Sequence, residues 1–139
     1  YFSNDQVRQA ILGGARDLGT AGVDTVFGWG LLDVSKAANG PSNFAWGDFA
    51  ANVPTGTHSV WRNTITGAGG LTKQGNGTLS LAEQATYAGD TRVLAGALAI
   101  RKGLTASNLS VSPGAIERAL ECFPAALEAY QRGVAGASE

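Results

Sequence analysis

The chain has 139 residues and a formal net charge of -1, with ten Lys or Arg and eleven Asp or Glu spread along it. This distribution leaves no basic face that could neutralise phosphates, which argues against nucleic acid as a partner. No apolar run approaches the roughly 20 residues that cross a bilayer, so we expect no membrane insertion by this segment.

The sequence contains no methionine and begins Tyr1-Phe2-Ser3. Translation normally starts with methionine, and these three residues read as the entry to a helix. We therefore expect the chain to be a piece of a longer protein. A single cysteine, Cys122, excludes an internal disulfide.

Residues 3–19 have the pattern of an amphipathic helix. Ser3 and Gln6 form a capping-box pair at its start, and Gly19 is the expected stop. The glycine pair 13–14 disfavours a helix by about 1 kcal/mol per glycine, so we expect a close neighbour there. The apolar residues at helical spacing are Val7, Ala10, Ile11, Ala15 and Leu18.

A second, short helix is predicted from Asp33, its cap, to Ala38, and the residues 39–41 (Asn-Gly-Pro) end it. From Phe44 onward the helical periodicity disappears. Aromatic residues, Gly, Thr and Asn take its place, which favours short strands and turns.

Three short segments in this region repeat one pattern: 78–81 (TLSL), 97–100 (ALAI) and 108–111 (NLSV). Each places two aliphatic side chains two residues apart, so both point to the same side of a strand. Glycine-containing turns separate the segments. Stacked short strands of this kind predict a β-solenoid in which the aliphatic residues share one interior.

Residues 116–132 return to a helical pattern, with Pro124 expected to kink or divide the helix. Cys122 lies in its apolar stripe and is interpreted as a small core residue. This tail matches nothing earlier in the chain.

Ser59 and His58 are the candidates for a nucleophile and its base, respectively. Neighbours along a strand point to opposite faces, whereas a catalytic pair must meet in space and needs a third group to orient the histidine. We therefore predict a surface histidine. One histidine and one cysteine cannot form a zinc cage.

Other candidate sites are also interpreted as structural. The scattered carboxylates are expected to cap helices and turns, because they lack the density of a calcium loop. The glycine runs 67–70 and 75–77 lack the helix and lysine placement of a phosphate loop. The three tryptophans could form a sugar-stacking platform, but packing at strand ends is preferred. The carboxylates are Asp24, Asp33, Asp48 and Asp90, and the tryptophans are Trp29, Trp46 and Trp61.

Residues 3–41, SNDQVRQAILGGARDLGTAGVDTVFGWGLLDVSKAANGP, closely resemble the last part of a subtilisin-like serine protease domain. The shared pattern is a helix of the type N-x-Q-V-R-x-x-I-L, then A-x-D-L-G, G-V-D and a Y-G-W-G-L-L-D-like strand. Phe27 stands where that family more often has tyrosine.

Residues 69–100 resemble the passenger-associated repeat of bacterial autotransporters, G-G-L-x-K-x-G-x-G-T-L-x-L followed by N-T-Y-x-G-x-T-x-V and G-x-L-x-I. Ala85 departs from the usual asparagine. The matching positions are Gly69, Gly70, Leu71, Lys73, Gly75, Gly77, Thr78, Leu79, Leu81, Thr86, Tyr87, Gly89, Thr91, Val93, Gly96, Leu98 and Ile100.

The two resemblances together imply a subtilase-type autotransporter and a mixed α and β fold. Residues 1–41 would be the helical end of a subtilisin-like α/β peptidase domain. Residues 42–115 would hold the junction and the first strands of a right-handed parallel β-helix, and residues 116–139 a helical tail of unclear origin.

The parent would then be a secreted or cell-surface serine endopeptidase of a Gram-negative bacterium that acts on protein substrates. Its catalytic Asp, His and Ser would lie in motifs upstream of this chain, so we predict no catalytic, cofactor or metal residue here. The chain's partners would be the rest of the protease domain and a C-terminal translocator barrel. The alternative is an adhesin-like passenger module that binds glycan or protein. A third possibility is that the isolated chain has no stable fold.

Overall fold

The computed structural model describes residues 1–113 and 115–119, which form two helices followed by a β-solenoid of about three turns. The elements are α1 (Asn4–Gly14), α2 (Val34–Ala38), β1 (Phe49–Asn52), β2 (His58–Trp61), β3 (Leu71–Gln74), β4 (Thr78–Leu81), β5 (Thr91–Val93), β6 (Ala97–Ile100), β7 (Leu109–Val111) and β8 (Ile116–Ala119).

Helix α1 begins as the sequence predicts. The Ser3 side chain accepts a hydrogen bond from the Gln6 amide, and the Gln6 side chain accepts one from the Ser3 amide, which completes the capping box. The helix ends at Gly14, five residues before the predicted stop at Gly19. The chain leaves the helix at this point, because Arg16 forms an antiparallel bridge with Leu31 instead of another helical turn.

The predicted neighbour of the glycine pair is present. A Cβ on Gly13 would lie 3.2 Å from the Asn43 Cβ, and one on Gly14 would lie 3.5 Å from the Ala37 backbone nitrogen. The predicted apolar face is buried only in part, because Ala10 is covered while Val7 and Ile11 are 45% and 39% exposed.

Helix α2 has the predicted boundaries. The Asp33 carboxylate accepts a hydrogen bond from the Lys36 amide at 2.8 Å and caps the first turn.

The solenoid consists of two parallel sheets. One has the strand order β1-β3-β5-β7 and the other β2-β4-β6-β8, so each odd strand and the next even strand form one rung. Phe49 pairs with Leu71, Leu71 with Thr91 and Thr91 with Leu109, which are spacings of 22, 20 and 18 residues. One rung of the solenoid is therefore about 20 residues long.

A third, shorter side closes each turn through single parallel bridges, such as Ile65 with Ala85 and Ala85 with Leu104. The three sides enclose one continuous core. Its buried members are Phe44, Phe49, Ala51, Val53, Trp61, Ile65, Leu71, Leu79, Leu81, Ala85, Tyr87, Val93, Leu98 and Ile100.

The three repeated segments are strands, and their aliphatic residues share this interior, but they do not form one sheet. Segments 78–81 and 97–100 are β4 and β6, whereas the third segment gives β7, in the opposite sheet. Leu109 and Val111 pack against the same core from that side.

The helix predicted from residue 116 is wrong at its start. Ile116–Ala119 is strand β8, which pairs with β6 in the same register as β6 pairs with β4. The solenoid's repeat therefore extends four residues into the helical pattern, because pairing with a neighbouring strand outweighs local helical propensity. The rest of the predicted tail, with Cys122, lies outside the described residues.

Candidate functional site at the junction of helix and solenoid

The first residues of the chain cover the open end of the solenoid. The Phe2 ring packs edge-on against Phe49 with centroids 5.5 Å apart, and it lies 5.9 Å from the Trp61 ring. Phe49 and Trp61 belong to the two strands of the first rung. An aromatic side chain thus replaces the rung that would otherwise have to cover them.

Polar contacts reinforce this cover. Trp61 Nε1 donates to the Tyr1 hydroxyl at 2.9 Å, and that hydroxyl is 2.6 Å from Ser59 Oγ. On the other sheet, Gln6 Nε2 donates to the Ala50 carbonyl. Ala50 lies on the first strand of its sheet, so this bond satisfies a backbone group that no neighbouring strand pairs with.

An aromatic series carries the contact inward. Phe49 stacks on Phe44 at 5.4 Å, and Phe44 lies 4.9 Å from Tyr87, a residue of the second turn. The N-terminal segment therefore packs on side chains that connect directly to the middle of the solenoid.

A groove of about 450 Å³ lies beside this contact, between the two helices and the edge of β2. Its lining is mostly apolar and includes Val7, Ile11, Val60 and Trp61. The exposed apolar residues of α1 therefore form one wall of this groove.

The structure places His58 on the surface, as predicted. Its Nε2 is 2.8 Å from Ser80 Oγ, whereas the hydroxyl of its sequence neighbour Ser59 contacts Tyr1. The side chains of these two sequence neighbours therefore make different contacts.

The four carboxylates lie at caps and turns, as predicted. Asp24 accepts hydrogen bonds from the amides of Phe27 and Val26 at 2.7 and 2.8 Å, and these bonds hold the pKa of Asp24 below its usual value. Asp48 accepts from the Gly70 amide at 2.8 Å. Asp90 lies 3.3 Å from the Arg92 guanidinium on the surface.

The glycine runs are sites of close backbone contact between turns. A side chain on Gly69 would collide with the Gly47 carbonyl, one on Gly77 with the Pro54 carbonyl and one on Gly89 with the Gly70 backbone. Only some of these glycines need a positive φ; Gly75, for example, has a φ of 69°. The sequence indicated the turns. Only the fold shows that neighbouring backbones approach these positions too closely for a side chain.

Comparison with known proteins connects this geometry to a family. Residues 71–100 match the family described as passenger-associated-transport-repeat. The chain is 46% identical over 103 residues to the Neisserial autotransporter lipoprotein NalP of Neisseria meningitidis serogroup B, covering 72% of this chain and 9% of that protein.

It is 37% identical over 146 aligned positions to an extracellular serine protease of Serratia marcescens, covering 80% of this chain and 14% of the relative. The chain is a passenger region of the protease-autotransporter type. It is secreted or lies at the cell surface.

Serotype-specific antigen 1 of Mannheimia haemolytica is 40% identical over 81 residues, which cover 58% of the chain and 8% of that protein. The chain thus spans about a tenth of the length of the relatives it matches.

The tryptophans of this passenger region divide into two groups. Trp61 is in the core, as the preferred interpretation predicts. Trp29 and Trp46 form a half-buried pair with centroids 4.8 Å apart, and the Arg8 guanidinium lies 5.8 Å above the Trp46 ring.

No described helix of the passenger region is long and apolar enough to cross a membrane.

Two buried polar residues of the repeat were not singled out from the sequence, although both belong to its motif. Lys73 is 0% exposed, and Tyr87 is 0% exposed with its hydroxyl 2.6 Å from Thr91 Oγ1. The motif K-x-G followed by T-Y-x-G-x-T could have indicated them. Lysine is rarely buried, however, so a single lysine on a short strand is ordinarily interpreted as facing solvent.

Proposed function

We propose that the chain is the noncatalytic junction at which a subtilisin-like peptidase domain ends and its β-helical stalk begins. Residues 1–41 would complete the protease domain, and residues 42–115 would begin the stalk. In this role the chain supports folding of the passenger outside the cell. The observation that carries the proposal is the packing of Tyr1 and Phe2 on the first rung.

The distribution of exposed apolar residues supports a large contact on the helical side. Among the residues that the structure describes, nine of the ten large apolar residues with high exposure lie in the first 34 residues, and only Leu94 lies in the solenoid. Such a concentration is typical of a surface that another part of the protein covers. The nine are Tyr1, Val7, Ile11, Val23, Val26, Phe27, Leu31, Leu32 and Val34.

The parent protein is, in this proposal, a secreted serine endopeptidase with protein substrates. The covering partner is the rest of its protease domain, and a C-terminal translocator barrel is the second partner. The names of the Neisseria and Serratia relatives support this assignment.

The coupling of helix to solenoid is tested with Phe2→Ala. The half-buried ring contacts both strands of the first rung, so its loss should lower the free energy of unfolding by about 2 kcal/mol and speed amide exchange in β1 and β2. Val26→Ala is the control, because Val26 is 77% exposed. Equal stability of the two variants would contradict a structural junction.

The noncatalytic part of the proposal is tested with a fluorophosphonate probe for serine hydrolases. We expect no labelling of the 139-residue chain, while a subtilisin-like protease in the same reaction is labelled. Covalent labelling of any serine in the chain would overturn this part.

A binding function is the second candidate, and the Trp29–Trp46 pair is the observation that favours it. Paired indoles beside an arginine offer a surface on which a sugar ring can stack. Trp46→Ala should then abolish retention of the chain on immobilised glycans, whereas Trp61→Phe, a change in the core, should leave retention intact. Absence of retention for the unmodified chain would exclude the glycan form of this function.

A further inference from the structure

Lys73 is a cation in the interior of the solenoid. It lies on β3 two residues after buried Leu71, and the register places it between Ala51 of the rung before and Val93 of the rung after. All three neighbours are 0% exposed, as is Lys73 itself. An apolar side chain would be the ordinary choice at such a position.

The ammonium group donates three hydrogen bonds. Nζ lies 2.8 Å from the carbonyl oxygen of Gln74, 2.7 Å from that of Gly75 and 3.0 Å from that of Ala95. The first acceptor belongs to the last residue of β3, the second to the turn that follows it, and the third to the equivalent turn of the next rung. Since an ammonium has three N–H groups, each of them has a partner.

Backbone carbonyls are the groups that compensate this charge. The ion pairs among the described residues are all at the surface, and the residues paired with Lys73 in the neighbouring strands are apolar. Burial lowers the pKa of Lys73, which is the expected result of desolvation without an opposite charge. A buried donor that loses its acceptor is destabilising, more so when it is charged.

We propose that Lys73 is a register clamp, whose ammonium group is fully bonded only when the third rung is docked on the second in its native register. Two of its acceptors are present as soon as the second turn forms. The third arrives only with Ala95, so a shifted or undocked third rung leaves one buried N–H without a partner. The lysine thereby makes completion of one rung depend on the next, and the inference does not rest on the proposed junction function.

The proposal is tested with two substitutions at one position. Lys73→Met fills the space without a donor, and Lys73→Gln retains N–H donors without the charge. Exchange of the Leu94 and Ala97 amides, which donate to the Lys73 and Gly77 carbonyls of the second rung, reports docking of the third. We expect exchange to be about ten times faster with methionine and intermediate with glutamine, while the Phe44 amide of the first turn changes little.

Lys102→Met is the matched control, because Lys102 is an exposed lysine paired with Glu83 at the surface. It should leave the Leu94 and Ala97 amides unchanged. Equal or slower exchange in Lys73→Met than in the unmodified chain would overturn the clamp and leave Lys73 as a space-filling residue.

A measurement on the unmodified chain covers the case in which the variants do not fold. NMR couplings across hydrogen bonds should connect the Lys73 ammonium nitrogen with the carbonyl carbons of Gln74, Gly75 and Ala95. Couplings to the first two carbonyls without the third would overturn the proposal, because the cross-rung bond is its essential element.

Discussion

A buried tyrosine and a buried threonine of the solenoid belong to one small network of hydrogen bonds. The Tyr87 hydroxyl is 2.6 Å from Thr91 Oγ1, which in turn is 2.7 Å from Ser107 Oγ. Thr91 is an inward-facing residue of β5 and is 0% exposed. Because of these bonds, the threonine of β5 and the tyrosine of the preceding turn lie in the core without an unsatisfied hydroxyl.

Tyr87 should control the alkaline end of the stability profile. Burial raises the pKa of Tyr87 to about 12 from an ordinary value of 10.0. Because the folded pKa is the higher one, the resulting stabilisation is complete below pH 10 and is lost as the pH rises through 12, a change of about 3 kcal/mol.

Tyr87→Phe removes this titration. We expect the variant to be about 1 kcal/mol less stable at pH 7, through loss of the bond to Thr91, and the gap should shrink above pH 10. Urea unfolding of both proteins between pH 7 and 11.5 measures it. Lys73 is common to both proteins, and its lowered pKa makes each more stable as the pH approaches 10.5, so the difference isolates Tyr87. A gap that stays constant with pH would contradict the assignment.

At the scale of elements, the sequence predicted what local periodicity encodes. The capping box of α1, the cap of α2 and strands β4 and β6 all follow from short patterns. The end of α1 did not, because it depends on a bridge between Arg16 and Leu31. Strands β3 and β5 were also missed as separate elements, since inward-facing Lys73 and Thr91 interrupt the apolar alternation that would have revealed them.

Stacking of rungs should depend on glycines that meet a neighbouring backbone. A Cβ on Gly77 would overlap the Pro54 carbonyl and lie 2.7 Å from that of Thr57. We therefore expect Gly77→Ala to cost about 3 kcal/mol in thermal or urea unfolding, because backbone atoms cannot move aside as a flexible side chain can.

Gly56→Ala separates this steric effect from that of backbone conformation. Gly56 has a φ of 78° and open space around it, so alanine there should cost only about 1 kcal/mol. Similar losses at the two positions would show that contact between rungs is not what requires glycine at 77.

At the scale of the whole molecule, the chain has a well-covered solenoid and a thinly covered helical side. Apart from Phe44, which precedes β1, the core residues belong to the strands and the turns between them, while α1 buries only Ala10 and Gly14. The sequence predicted an amphipathic first helix whose glycine pair needs a close neighbour, but it did not identify that partner. It could not show that residues 1 and 2 have one in the first rung, because that contact joins positions about 60 residues apart.

This asymmetry predicts a gradient of local stability in the isolated chain. Amides of β3 to β6, paired on both sides, should exchange most slowly, and those of α1 should exchange at least a hundred times faster, because its exposed face contributes little burial energy. Exchange followed by NMR or by mass spectrometry of peptides measures both regions in one experiment.

Phe2→Ala should speed exchange in α1 further and leave β5 and β6 nearly unchanged. Protection of α1 equal to that of β4 would mean that the helix needs no further partner, whereas absence of protection in β4 would mean that the solenoid does not fold in this chain alone.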